Sequence, residues 1–173
     1  MILSIDPGNI ESAYCVIDKT NYKPIEFGKI KNEELREKLL GDLRYYPIES
    51  FAIEMIASYG MAVGKEVFET CVWIGRFIES FKCPFTYYIY RRDEKMNLCG
   101  SMKAKDTNIR QALIDRFAEF DFKNGKGTKA KKDFFYGFSK DVWAAYAVGI
   151  TWLDKQKQNL DNMIELAKKE LKK

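Results

Sequence analysis

Three acidic residues in this chain close or open apolar runs, at places where a sheet and a late helix would converge. Asp6 ends the run Ile2-Leu3-Ser4-Ile5, Glu54 ends Ser50-Phe51-Ala52-Ile53, and Asp141 opens a segment of mostly small residues running to Gly149. The 173 residues include no histidine. That removes Ser-His-Asp and Cys-His catalysis, His-ligated zinc and histidine general bases at once. Chemistry must then run on carboxylates, lysines and hard cations. Converging carboxylates suit Mg²⁺ or Mn²⁺. Two such ions about 4 Å apart activate a water and stabilise the leaving oxygen in phosphodiester hydrolysis. Taken singly, the acids have plainer readings. Asp6 could bond the turn amides of Gly8 and Asn9, and Asp141 or Ser139 could cap a helix.

The elements that must position these acids alternate between sheet and helix. Ile2–Asp6 reads as a buried strand stopped by Pro7, with Gly8 free to adopt positive φ in a tight turn and Ala13–Ile17 returning beside it. Pro24–Ile30 gives a third strand. Asn32–Gly41 reads as a helix with Asn32 as cap and acids in its first turn. Ser50–Glu54 is a fourth strand and Pro84–Tyr90 a fifth. Between them, 62–81 is an amphipathic helix whose apolar stripe is wider than one core face needs, so Val67, Trp73, Ile74 and Phe77 are candidates for a dimer interface. Helical signals return at 106–119, capped by Asp106 or Thr107, and at 140–155. The polar segment 157–173 reads as a peripheral helix.

Composition bounds the rest. One domain of ordinary size, 46% hydrophobic, is expected to fold around a real core. No apolar run is long enough to span a bilayer, so a soluble, cytoplasmic protein is expected. Cys15, Cys71, Cys83 and Cys99 are scattered and read as reduced thiols. The net charge of +4 conceals a basic middle. Residues 82–140 carry 14 Lys and Arg against 7 Asp and Glu, and the remainder 15 against 18. Arg91, Arg92, Lys95, Lys103 and Lys105, then Lys126, Lys129, Lys131 and Lys132 in a Gly-rich loop expected to be mobile, are candidates for phosphate contacts. Phe134, Phe135 and Tyr136 follow as candidates for stacking on unpaired bases.

Ile-Asp-Pro-Gly at 5–8, Ala-Ile-Glu at 52–54, Ala-Lys-Asp-Thr-Asn-Ile-Arg-Gln-Ala-Leu at 104–113 and Asp-Val-Trp-Ala-Ala-Tyr-Ala-Val at 141–148 occur in one order. In that order the chain resembles a RuvC-type Holliday junction resolvase of the RNase H-like superfamily, in a bacteriophage form. The likeness covers roughly residues 1–155, a nuclease domain, with 156–173 as its peripheral helix. It implies an α/β fold with a mixed five-stranded sheet flanked by helices. It also implies a homodimer on four-way junctions and other branched DNA, two Mg²⁺ per active site with Mn²⁺ as substitute, and Asp6, Glu54 and Asp141 as metal ligands. Lys105 falls near a family lysine that contacts the scissile phosphate.

One position departs from the pattern. The family's last motif is Asp-x-x-Asp-Ala, with both acids on one helix face, whereas this chain has Ala144 as the second. Three accounts stay open: three acids suffice, another group supplies the ligand, or an aspartate has been deliberately replaced. The intact surroundings favour replacement. Two other classes remain alongside the nuclease. A non-catalytic junction-binding protein would explain Ala144 directly. A sugar-kinase or actin-like ATPase would share the Asp-Pro-Gly turn but needs a second such domain.

Overall fold

Period-two burial along the first strand sorts the whole core. A computed structural model describes residues 1–58, 60 and 62–171, apart from the side chain of Lys140. In β1 (Ile2–Asp6), Leu3 and Ile5 enter one apolar cluster and Ile2 the other, because successive side chains leave opposite faces. β2 (Glu11–Ile17) runs antiparallel to β1 and β3 (Pro24–Lys31) antiparallel to β2. β4 (Ser50–Met55) and β5 (Thr86–Tyr90) extend the other side in parallel, giving the order β3-β2-β1-β4-β5. The expected mixed five-stranded α/β sheet is what forms.

Helices cover both faces. α1 (Asn32–Leu40) and α2 (Lys65–Phe81) seal the Leu3–Ile5 side. α3 (Arg91–Cys99), α4 (Asp106–Phe117) and α5 (Lys140–Glu170) lie on the Ile2 side. α5 approaches the sheet closely at Gly149, where a Cβ would collide with Ile17 and stand 2.9 Å from the Ser4 hydroxyl oxygen. That contact fixes the height of α5 over β1.

Several expectations change in detail. Asn32 does not cap α1; its buried side chain donates to the Gly8 carbonyl at 2.9 Å and accepts from Ser12 Oγ at 2.7 Å. Ser12 Oγ also accepts the Gly8 N–H at 3.1 Å. The turn after Asp6 is therefore braced by Ser12 and Asn32, and its Gly8 amide is not bonded by Asp6. Gly8 has no positive φ; glycine is required because a Cβ would strike the Glu11 carbonyl. α3 was not legible as a helix. α5 runs without a break through position 155, and every described residue from Lys157 onward is exposed. The last two residues of the 157–173 segment lie outside the described residues.

The wide stripe on α2 also resolves differently. Ile74 and Phe77 point into their own core and Trp73 and Val67 are half-buried, so the first two cannot form a dimer contact. The outward apolar residues are Phe68 and Val72, one turn apart. The four cysteines are unbridged. No helix among the described residues is long and apolar enough to cross a membrane.

The Gly-Lys loop, expected to be mobile, is folded around two carboxylates. Asp133 accepts backbone N–H groups from Glu119 (2.8 Å), Phe120 (3.2 Å), Asp121 (2.7 Å) and Phe134 (2.7 Å). Burial would raise the Asp133 pKa, but these four donors hold it down at about 2. Asp121 accepts the Gly127 N–H at 2.9 Å. Two of the three aromatics do not wait for bases either, while Tyr136 stays exposed under Lys132. Phe135 is fully buried against Phe138 and Trp143, and Phe134 stacks on Phe117. Apolar rings gain more from that cluster than from water.

Gly149→Ala is expected to lower stability by about 1–2 kcal/mol in urea denaturation, since overpacking against Ile17 and Ser4 outweighs the better helix propensity of alanine. Asp133→Ala strands four N–H donors and should cost about 2–4 kcal/mol in the same measurement; an unchanged midpoint would show that water replaces the carboxylate.

Candidate active site

Strand register brings the first two acids together. β1 and β4 pair in parallel as Ile2↔Ser50, Leu3↔Phe51, Ser4↔Ala52 and Ile5↔Ile53. The next positions along are Asp6 and Glu54. Both fall in the phase of Ile2 and Ala52, so both leave the sheet on the α5 face. β4 runs one residue past Glu54, to Met55. Side by side and largely out of water, the two carboxyl groups cannot both ionise easily. Burial, then the charge of Glu54 and a hydrogen bond to it, push the Asp6 pKa up to about 8. Burial also raises Glu54, while the hydrogen bond from Asp6 and the charge of Arg91 pull it down. The pair therefore holds a proton more tightly than an isolated carboxylate does.

The third acid stands across an open cavity of about 470 Å³. Asp6, Glu54 and Asp141 all line it, and so does Ala144, three residues along α5 from Asp141. Asp141 is gripped from the side by Lys29 at 2.8 Å, and Lys29 also reaches Glu11 at 3.2 Å. These bonds raise the Lys29 pKa. Among the described residues no three acidic or thiol side chains stand close enough to enclose an ion, and Lys29 on β3 holds the Asp141 carboxylate.

Glu94 and Asp106 were not expected at the site, and Arg91 takes a different role there. Arg91, expected as a phosphate contact, faces this cavity and is committed to carboxylates. It pairs with Glu94 at 2.5 Å and, still more closely, with Asp106. Burial opposes its charge, but Glu94, Asp106 and Glu54 together raise its pKa. Glu94 is completely buried, and its Oε1 has no hydrogen-bond partner among the described residues. Burial first, and then the charge of Glu54, drive its pKa well above the usual carboxylate range. Asp106 begins α4 and lines the cavity without capping the helix. The signals for α3 were faint: Asp93 accepting the Tyr90 N–H at 3.3 Å, and Gly100 in the left-handed region after Cys99. Glu94 can be placed only once that helix is known.

The basic candidates separate into two groups. Lys95, Lys103 and Lys105 line one groove beside the acid cavity, and Arg92 is exposed on α3. Lys105 therefore stands next to the acids but not among them. Lys132 instead lines a groove with Lys23 and Pro24, at the start of β3 and the far end of the sheet from Asp6. Lys126, Lys129 and Lys131 belong to the same loop, where Lys131 sits 4.1 Å over the Phe120 ring.

The donors are all oxygen, the type a hard divalent cation prefers, but Asp141 would have to leave Lys29 to join Asp6 and Glu54 round one ion.

No protein-family model and no curated protein matches this chain. Comparison of folds does find similar structures. Thermus thermophilus RuvC in complex with a Holliday junction substrate superimposes with a TM-score of 0.63 and 13% identity, over 87% of this chain and 90% of that one. A second Thermus thermophilus RuvC structure gives 0.63 and 12%, over 87% and 91%. The fold is that of RuvC. It includes the flanking helices, so the RNase H-like architecture expected from the sequence is present.

Because folding raises the Asp6 pKa, its contribution to stability is complete below about pH 4 and is lost as pH climbs through about 8. With EDTA present, the melting temperature should fall between pH 6 and pH 9, and fall less in Asp6→Asn. Mn²⁺ should restore it most at high pH, releasing a proton on binding at pH 7. Equal pH slopes for the two proteins would remove the shared proton from the account.

Proposed function

We propose that this chain is a divalent-ion-dependent endonuclease that acts on branched DNA, four-way junctions above all, as a homodimer. The observation that carries this reading is the Asp6–Glu54 pair, set on adjacent parallel strands and facing Asp141 and Ala144 across one cavity. The fold shared with RuvC supports it.

Asp6, Glu54 and Asp141 would hold Mg²⁺, or Mn²⁺ in its place, two ions to a site. Bound there, the metal would supply an activated water and neutralise charge on the leaving oxygen. The chain's own groups do the remainder. The Asp6–Glu54 pair would give up its proton so that both carboxylates could serve as ligands. Arg91, anchored by Glu94 and Asp106, favours ionised Glu54. Lys29 restrains Asp141 until a stronger cation competes for it. Lys95, Lys103 and Lys105 give the incoming backbone a positive groove beside the acids, with Lys105 next to the phosphate to be cut. Arg92 extends that groove, and Lys126, Lys129, Lys131 and Lys132 offer a second contact region on another arm of the DNA. The exposed Phe68 and Val72 pair on α2, flanked by Val67 and Trp73, is the apolar surface for the second subunit.

Ala144 favours one alternative, a protein that grips junctions without cutting them. A methyl group lines the cavity where a fourth carboxylate would complete the ligand set. Ala144→Asp separates the two readings. On labelled four-way junctions with Mg²⁺, the variant should nick at least roughly a hundredfold faster than the parent, while both bind junctions in preference to linear duplex. Binding by both with cutting by neither, under Mg²⁺ or Mn²⁺, would leave the non-catalytic reading.

A further inference from the structure

The acid cavity contains a second arginine, and its setting differs from that of Arg91. Arg110 lies on α4, three residues after Thr107 and on the same face, and both line the cavity. Its guanidinium sits 4.9 Å from the centre of the Trp143 ring. Among the described residues it forms no ion pair, although Asp6, Glu54, Asp106 and Asp141 line the same space. Trp143 is itself fixed: it is 5% exposed and packs at 4.4 Å against Phe135 and 5.1 Å against Phe138. A charged, planar group is thus laid on a rigid aromatic platform with its donors unspent. Arg91 has spent its own on Glu94 and Asp106, and Lys105 faces the adjoining groove.

We infer that Arg110, backed by Trp143, is the phosphodiester-binding group of this cavity. It would donate to the non-bridging oxygens of the DNA strand held over Asp6 and Glu54, through the two-pronged geometry guanidinium offers to phosphate. The inference rests on the nuclease reading and assigns the contact with the reacting phosphate to α4 and α5 together. Stacking on the indole lowers the entropy lost when the side chain is ordered on substrate, and it explains why an unpaired arginine stays in an acid-rich site.

The experiment measures affinity for four-way junctions and for linear duplex against salt concentration, by fluorescence anisotropy at fixed Mg²⁺. The parent, Arg110→Gln, Arg110→Lys and Trp143→Phe are compared, with thermal melts confirming that each is folded. Arg110→Gln should flatten the slope of log affinity against log salt by about one on both DNAs. Arg110→Lys should keep the slope, and Trp143→Phe should keep it with weaker binding. Identical slopes for parent and Arg110→Gln would overturn the inference, reducing Arg110 to a cover for Trp143, and leave the nuclease reading standing. A parent that binds duplex and junction equally would sink the junction reading, while the duplex slopes still judge Arg110. A parent that binds neither DNA would end both.

Discussion

Two carboxyl groups placed side by side at the ends of neighbouring parallel strands are the constraint around which this molecule is arranged. The β1–β4 register leaves Asp6 and Glu54 no separate places, and their half-buried setting gives them little water to spread their charge. Everything near them answers that crowding. The turn after Asp6 is held by Ser12 and Asn32, so the carboxylate is left out of turn bonding. Arg91 brings a positive charge, and Glu94 and Asp106 hold Arg91. Lys29 keeps the third acid apart. Such an arrangement concentrates negative charge that the neighbouring cations only partly offset.

Much of this was legible in the sequence, and the reason is local. Apolar runs that end in an acid announce a strand and its open end together, so Asp6 and Glu54 could be assigned to one edge of a sheet before its register was known. The mixed five-stranded sheet follows from the same runs plus the resemblance. What stayed hidden depends on side chains from distant segments. Asn32 carries the usual mark of a helix cap, but a buried partner 20 residues away claims it. Ile74 and Phe77 share a stripe with Phe68 and Val72, and periodicity cannot say which half of a wide stripe is inside. Glu94 belongs to a nine-residue helix rich in charge, with little apolar rhythm to reveal it.

The basic middle shows the same limit from another side. Counting charge found it correctly, yet the fold divides it between the acid edge and the opposite edge of the sheet. A run of lysines and glycines invites the picture of a loose arm. Asp121 and Asp133, two acids that a charge count merely subtracts, are what fold it. The adjoining phenylalanines then serve the core, and through Trp143 they stiffen one wall of the cavity.

The acids are spread across the chain at positions 6, 54 and 141, and the last arrives on α5. A ribosome releases the strand pair bearing the first two long before the helix that faces them. Through most of translation the nascent chain holds half a site: two crowded carboxylates with no opposite wall. The complete site would then come late and all at once, when α5 settles over β1 at Gly149. On the nuclease reading, a domain built in this order would be harmless to nearby DNA while it is still being made.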